Sequence, residues 1–226
     1  MNRLITTLFL LIYNFTFGQN SDVTSKQLSE QEIDSIFTIK IKDELQLDYP
    51  IFKVYEYRDK IGKHYIVMTE NIAKCKERKE CFDSIKTYCY SYENDILNLK
   101  WALKDFILPD LYEYSIYHWS KYFTIDDYDK DGIADPIIIY GTLGMNEIYD
   151  GRIKILVYYK NKKRAIRHQN GLHDKRNTQV DKQFYELPIE IQNRVKVLME
   201  KIDEKGNGIF PYGWQKAMEN NKLNFD

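Results

Sequence analysis

Four runs of alternating apolar and polar residues between positions 51 and 103 place the strongest limit on the fold. They begin at Ile51, His64, Ile85 and Ile96, and short polar segments separate them. Alternation with a period of two is typical of strands that bury one face. Short connections favour antiparallel neighbours. Tyr recurs at every second position in two of the runs, which indicates faces that pack against a neighbouring layer. The sequence therefore predicts an antiparallel meander.

The second half of the chain adds further strands and a helix. Strand patterns begin at Tyr117, Pro136 and Arg152, and the run after Pro136 is apolar without alternation, which is typical of a strand covered on both faces. Pro188 precedes an apolar stripe at helical spacing that consists of Ile191, Val195, Leu198 and Ile202. This stripe should pack against the sheet, and a last short helix is expected near Trp214. The predicted class is α+β, mainly an antiparallel β-sheet meander with a C-terminal amphipathic helix packed on it.

Three segments are predicted along the chain. Residues 1–18 have a basic start and an apolar run that is shorter than the roughly 20 residues of a membrane span, which is typical of a signal peptide. Residues 19–48 form a polar N-terminal segment with a short helix, because Ser29 and Glu32 have the spacing of a capping box. Residues 49–226 contain no internal repeat or Gly/Ser linker, which predicts a single α+β domain.

The signal peptide predicts a periplasmic or secreted protein. No Cys follows the cleavage region, so no lipid anchor is expected, and no transmembrane segment is expected after the signal is removed. Three cysteines follow, Cys75, Cys81 and Cys89. An odd number allows one disulfide with a spare thiol, or none. Cys75 and Cys81 bracket a charged hairpin tip, which makes them the favoured pair, but the sequence leaves the pairing open.

The charge balance excludes one class of partner. The chain has 33 Lys plus Arg against 34 Asp plus Glu, a formal net charge of -1. Binding to nucleic acid requires a basic surface that neutralises phosphates, so no nucleic-acid partner is expected.

The segment DDYDKDGIAD is typical of a calcium loop. Alternate carboxylates on a tightly turning backbone supply the oxygen ligands that Ca²⁺ prefers, and Gly132 permits the turn. The predicted ligands are the carboxylates of Asp127, Asp129, Asp131 and Asp135 and the backbone carbonyl of Ile133. A helical EF-hand would have Glu at the twelfth position, where this chain has Ile138. The loop thus resembles the calcium loops that lie between strands in integrin-like and other exported β-repeats. A structural Ca²⁺ is predicted, and a solvated acidic turn is the alternative.

A second group of charged residues follows between positions 164 and 181. The candidate ligand patch consists of Arg164, Arg167, His168, His173, Asp174 and Arg176, with Asp181 just beyond. A turn at residues 169–171 could place two arms of a hairpin side by side. Such residues can perform acid/base chemistry or hold an anion. A solvated or salt-bridged sheet edge is the alternative.

Long strings in the second half carry a family resemblance. They are DYDKDGIADPIIIYG, DGRIKILVYYKNKKRAIRHQNG, RNTQVD, FYELP and IFPYGWQKAM. Together they resemble a family of exported Bacteroidetes proteins known as surface polysaccharide biosynthesis proteins, over most of residues 50–220. The resemblance implies a part in making or displaying envelope polysaccharide, with that polysaccharide or its assembly proteins as partners. It supplies no catalytic residues.

Three hypotheses about function follow. The preferred one is a calcium-stabilised, non-enzymatic accessory protein in surface polysaccharide biosynthesis or display. The second is a hydrolase or transferase that acts on envelope glycans through His168, His173 and Asp174. The third is a carbohydrate- or protein-binding module that uses exposed aromatic residues, with Trp119, Tyr212 and Trp214 as candidates. Whether the protein is an enzyme stays open at this level.

Overall fold

The computed structural model describes residues 23–73, 81–108, 113–144, 146–171 and 176–226. The predicted signal peptide, Cys75, His173 and Asp174 lie outside the described residues.

The first half of the chain forms a five-stranded antiparallel sheet. Its strands are β1 (Thr24–Gln27), β2 (Ile51–Asp59), β3 (Gly62–Ile72), β4 (Phe82–Glu93) and β5 (Ile96–Phe106). Their order in the sheet follows the sequence. All four predicted strands of this half are confirmed, whereas β1 was not predicted.

The second half forms a separate six-stranded antiparallel sheet. Its strands are β6 (Ser115–His118), β7 (Ile137–Leu143), β8 (Arg152–Tyr159), β9 (Lys162–Gln169), β10 (Asn177–Val180) and β11 (Asn224–Phe225). The order is β11-β10-β9-β8-β7-β6. The strand pattern that begins at Tyr117 is cut short, because a 3₁₀ helix covers Ser120–Tyr122.

Four α-helices complete the described chain. They are α1 (Glu30–Ile36), α2 (Ile39–Glu44), α3 (Ile189–Glu204) and α4 (Trp214–Glu219). The predicted capping box starts α1: the Glu32 N–H donates to Ser29 Oγ at 3.3 Å, and the Ser29 N–H donates to Glu32 Oε2 at 2.8 Å. Two further 3₁₀ helices cover Ile148–Asp150 and Lys182–Phe184.

The two sheets pack face to face and carry helices on their outer faces. Ile66 and Met68 of the first sheet share a buried cluster with Ile138 and Leu156 of the second. A second cluster joins the outer face of the first sheet to the N-terminal helices through Phe37, Val54, Tyr65, Ile33 and Ile41. A third joins the outer face of the second sheet to α3 through Ile137, Ile139, Ile191, Val195 and Leu198. The fold is a sandwich of helices, sheet, sheet and helices, and the predicted packing of α3 is confirmed.

The α+β class is confirmed, but the prediction of a single meander is wrong. Both faces of β3 are buried, since every residue from His64 to Glu70 is buried. A sheet with two covered faces needs a layer on each side. In one extended sheet, Ile66 and Ile138 would lie on distant strands. In the structure, Ile66 of the first sheet and Ile138 of the second share the buried cluster between the two sheets.

Among the described residues, no helix is both long enough and apolar enough to cross a membrane.

Candidate metal centre

The acidic loop connects the 3₁₀ helix at Ser120–Tyr122 to β7, and hydrogen bonds close its base. Thr124 and Ile137 form an antiparallel bridge. The Asp135 N–H donates to the Asp126 carbonyl at 2.7 Å. The ends of the loop are therefore held together, and the residues between them form a compact turn.

The backbone of the turn curls around two carboxylates. Asp127 accepts hydrogen bonds from the N–H groups of Asp131 at 3.0 Å and Gly132 at 2.8 Å. Asp129 accepts a second, longer bond of 3.2 Å from the Asp131 N–H. Lys130 and Gly132 have φ angles of 63° and 84°, a region that glycine adopts without steric cost. The pattern of alternate Asp with a central Gly is thus explained: Asp side chains accept bonds from the N–H groups of the turn, and Gly132 adopts the positive φ that the turn requires.

Three of the predicted ligands converge. Carboxylate oxygens of Asp127, Asp129 and Asp135 all lie within 4.8 Å of one another. Asp135 is 1% exposed. One of its oxygens accepts a hydrogen bond from the Tyr128 N–H at 3.1 Å, whereas Oδ1 has no hydrogen-bond partner among the described residues. A buried polar atom without a partner is costly, and a cation between the three carboxylates would supply one.

The electrostatics of Asp135 agree with this geometry. Burial raises the pKa of Asp135 to about 7, with a further contribution from the nearby charge of Asp129. A carboxylate in such surroundings is disfavoured unless a positive charge compensates it. Ca²⁺ is bound by six to eight oxygens at about 2.3–2.6 Å, and carboxylates of this kind are its usual protein ligands. The arrangement can therefore hold one hard cation.

The fourth predicted carboxylate is directed elsewhere. Asp131 Oδ2 lies 3.1 Å from Lys160 Nζ, and its Oδ1 accepts a hydrogen bond from the Ile133 N–H at 2.9 Å. Burial acts to raise the pKa of Asp131, but the Ile133 bond and the Lys160 ammonium outweigh it and lower that pKa. The Asp131 carboxylate therefore forms an ion pair at the edge of the loop, and Ile133 lies in the same turn.

The loop also touches a hairpin of each sheet. From the β2–β3 turn, Asp59 Oδ2 accepts a bond from the Ala134 N–H at 3.2 Å, and the Lys60 N–H donates to the Gly132 carbonyl at 2.9 Å. From the end of β8, the Tyr159 hydroxyl donates to Asp129 Oδ2 at 3.0 Å. Sequence reasoning missed these partners, because nothing in a local pattern shows which distant turns approach the loop.

The basic hairpin exists, but its described members do not form a common site. Strands β9 and β10 pair with Gln169 opposite Asn177. His168 is buried between Thr178 Oγ1 at 2.9 Å and Asn170 Oδ1 at 2.8 Å. Burial lowers the pKa of His168 to about 4, so this side chain is a neutral member of the core.

The arginines of the patch have separate partners. Arg167 pairs with Asp181 at 2.6 Å. Arg164 donates to the Lys163 carbonyl at 3.1 Å, and Arg176 donates to the Gly171 carbonyl at 3.3 Å. No hydrogen bond or ion pair joins two members of the patch within the described part of the hairpin, and the remaining candidates, His173 and Asp174, fall outside that part.

The aromatic candidates differ in exposure. Trp119 and Trp214 are 4% and 3% exposed and belong to the core cluster of the second sheet. Tyr212 is fully exposed. The expectation of three exposed rings is therefore wrong for both tryptophans, because Trp119 packs beside Tyr122 and Trp214 beside Phe210 within this cluster.

The two described cysteines differ in their bonding. Cys81 is disulfide-bonded, and its favoured partner, Cys75, lies outside the described residues. Cys89 is free and buried, and burial raises the pKa of its thiol to about 12. A thiol that stays protonated at neutral pH is a poor nucleophile, so Cys89 serves as a core residue.

The chain has no match among known protein family models, curated proteins or solved structures.

Proposed function

We propose that this chain is a calcium-stabilised, non-enzymatic accessory protein in surface polysaccharide biosynthesis or display. The unpartnered oxygen of Asp135 carries the calcium part of the proposal, because it is buried beside the carboxylates of Asp127 and Asp129. The polysaccharide part rests on the resemblance of the long strings in residues 50–220 to the Bacteroidetes family.

The role of the cation is structural. The loop contacts the β2–β3 turn through Asp59 and Lys60, and it contacts the end of β8 through Tyr159. A bound Ca²⁺ that offsets two of the three carboxylate charges would strengthen a junction between the two sheets. Affinities of about 10⁻⁴ to 10⁻³ M suffice for extracellular calcium modules, which agrees with the proposed periplasmic or secreted location.

A catalytic role receives less support. His168 is enclosed by Thr178 and Asn170, and Arg167 is paired with Asp181. A general base must reach the substrate proton that it removes, and a histidine 2% exposed within the core does not. An accessory role needs no such group.

Calorimetric titration of the purified chain with Ca²⁺ tests the metal site. We expect one site in the wild-type protein and at least a tenfold weaker affinity in Asp135→Asn, because the amide removes a charge from the cluster. Asp203→Asn on the exposed face of α3 is the matched control and should bind like wild type. Absence of a binding heat, or equal affinity in all three proteins, would contradict the metal site.

A deletion strain tests the polysaccharide role. We expect loss of the gene to lower the amount of polysaccharide at the cell surface, and wild-type protein to restore it. Asp135→Asn should restore less, because a larger share of it is unfolded at growth temperature. Unchanged polysaccharide after deletion would contradict the role, whatever the calorimetry shows.

A further inference from the structure

A groove outside the calcium loop has the composition of a ligand site. It has a volume of about 260 Å³ and lies where β6 passes into the 3₁₀ helix. It is lined by Tyr117, His118, Trp119, Ser120, Lys121 and Asn207. Its size is slightly below the roughly 300 Å³ at which the usual range of small-molecule pockets begins. One ring-sized ligand would fill it.

The wall of the groove is held in place by the core. The two ring nitrogens of His118 are hydrogen-bonded to Glu70 Oε1 at 3.1 Å and to Thr87 Oγ1 at 2.8 Å. The backbone N–H of His118 donates to the same Glu70 oxygen at 2.8 Å. The Trp119 ring lies against Gly141, where an added Cβ would come within 2.7 Å of Cζ2. The groove is thus largely formed before a ligand binds, which reduces the entropic cost of binding.

Lys121 lines the groove and Lys53 is bonded to a residue that lines it, and neither ammonium group has a carboxylate partner among the described residues. Lys53 Nζ donates to Ser120 Oγ at 3.0 Å, and Lys121 Nζ donates to Asn207 Oδ1. Neither lysine forms an ion pair within the described chain, in contrast to Lys63 with Glu56 at 2.9 Å. Two unpaired cations beside a polar groove favour an anionic ligand.

The acidic groups that act on Tyr117, a residue of the groove, are already engaged. Glu70 and Glu147 are the carboxylates whose charges act on Tyr117. Glu70 is bonded to His118, and Glu147 accepts a bond from the Tyr114 hydroxyl at 2.6 Å. Lys53 and Lys121 are therefore the charged groups beside the groove with which a carboxylate could pair.

An exposed aromatic ring lies next to Lys53. Phe52 is 41% exposed and stacks on the His118 ring, with the ring centres 6.3 Å apart and the planes at 14°. Lys53 Nζ lies 5.2 Å from the centre of the Phe52 ring. Aromatic faces provide rigid apolar contact area with a specific geometry, which suits the C–H face of a sugar ring.

We propose that this groove binds one acidic sugar unit of a glycan, with its carboxylate between Lys53 and Lys121 and its ring against Phe52. Asn207 Oδ1 already accepts bonds from Lys121 and Tyr122, and the Nδ2 group of the same amide can donate to a sugar hydroxyl. This inference rests on the proposed polysaccharide role and specifies its substrate class, a uronate-containing glycan.

The test compares an acidic with a neutral oligosaccharide. Calorimetry or NMR titration of the full chain in millimolar Ca²⁺ would use trigalacturonate and maltotriose as probes. We expect trigalacturonate to bind at least tenfold more tightly than maltotriose. Lys53→Gln combined with Lys121→Gln should weaken trigalacturonate binding at least tenfold, and Phe52→Ala should weaken it severalfold.

A charge-matched control distinguishes binding in the groove from nonspecific electrostatic attraction to the protein. Lys162→Gln combined with Lys163→Gln removes two exposed positive charges from β9 and should leave binding unchanged. No binding, equal binding of both sugars, or an equal loss in the control variant would overturn the inference. The deletion strain reports on the polysaccharide role and Ca²⁺ titration reports on the metal site, so failure of the sugar site is distinguishable from failure of either part of the proposed function.

Discussion

Single side chains show why the charged residues of this chain have different roles. Asp135 and His168 are both buried titratable groups, yet their surroundings differ. Two polar side chains satisfy the His168 ring, at 2.9 and 2.8 Å, whereas Asp135 keeps one oxygen without a partner within the described residues. A satisfied group is explained by the fold alone. An unsatisfied carboxylate beside two others is the observation on which the proposed cation rests.

The neutral, buried His168 predicts a pH dependence of stability. Its pKa is about 4 in the folded protein, against 6.5 for the ordinary group. Between these values the unfolded state binds more protons, so stability falls as pH falls from 6.5 to 4. The full difference corresponds to about 3 kcal/mol.

Urea unfolding of wild type and His168→Gln between pH 4 and 7 measures this contribution. We expect the free energy of unfolding of the variant to depend less steeply on pH, because glutamine does not titrate. Parallel pH profiles would show that His168 is charged or solvated in the folded protein, which would contradict its place in the core.

At the level of elements, periodicity predicted most strands but not their assembly. Strands β2 to β5 and helix α3 follow from alternation and helical spacing, which depend on neighbouring residues. The division into two sheets depends on which strand faces pack together over long sequence distances. Ile66 and Ile138, for example, share the cluster between the sheets. A local sequence pattern does not specify such pairings. Helix α2 escaped prediction because its sequence, IKIKDE, alternates like a strand.

In the candidate site, too, the local sequence predicted some features but not the contacts with distant residues. The spacing of Asp and Gly predicted a turn and its carboxylates, and the structure brings Asp127, Asp129 and Asp135 together. The attachment of Asp131 to Lys160 joins residues 29 positions apart in the sequence, so spacing could not reveal it.

The backbone of the loop gives a prediction at this level. Gly132 and Gly206 have φ angles of 84° and 64°, where alanine costs about 1 kcal/mol. We expect Gly132→Ala and Gly206→Ala to lower stability by similar amounts in chelator. Only Gly132→Ala should raise the Ca²⁺ concentration required for half-maximal stabilisation, because Gly206 lies at the end of α3. An equal effect on the Ca²⁺ requirement would contradict a metal-binding turn at Gly132.

For the whole molecule, the loop matters because it touches both sheets. It receives hydrogen bonds from the β2–β3 turn at Lys60 and from Tyr159 at the end of β8. The apolar layer between the sheets holds the sandwich together, and the loop adds polar contacts at one end of it. A cation that binds only the folded loop therefore stabilises the complete fold through mass action.

Thermal unfolding in chelator and in Ca²⁺ at ten times its dissociation constant tests this account most directly. The added stability should be about 1.4 kcal/mol, a rise in Tm of about 4 °C. Asp135→Asn should lose most of the rise, because a tenfold weaker site adds only about 0.4 kcal/mol at the same Ca²⁺ concentration. Asp131→Asn should retain most of it, because its carboxylate pairs with Lys160. Equal Tm values for the wild-type protein in chelator and Ca²⁺, or an undiminished rise in Asp135→Asn, would contradict the account.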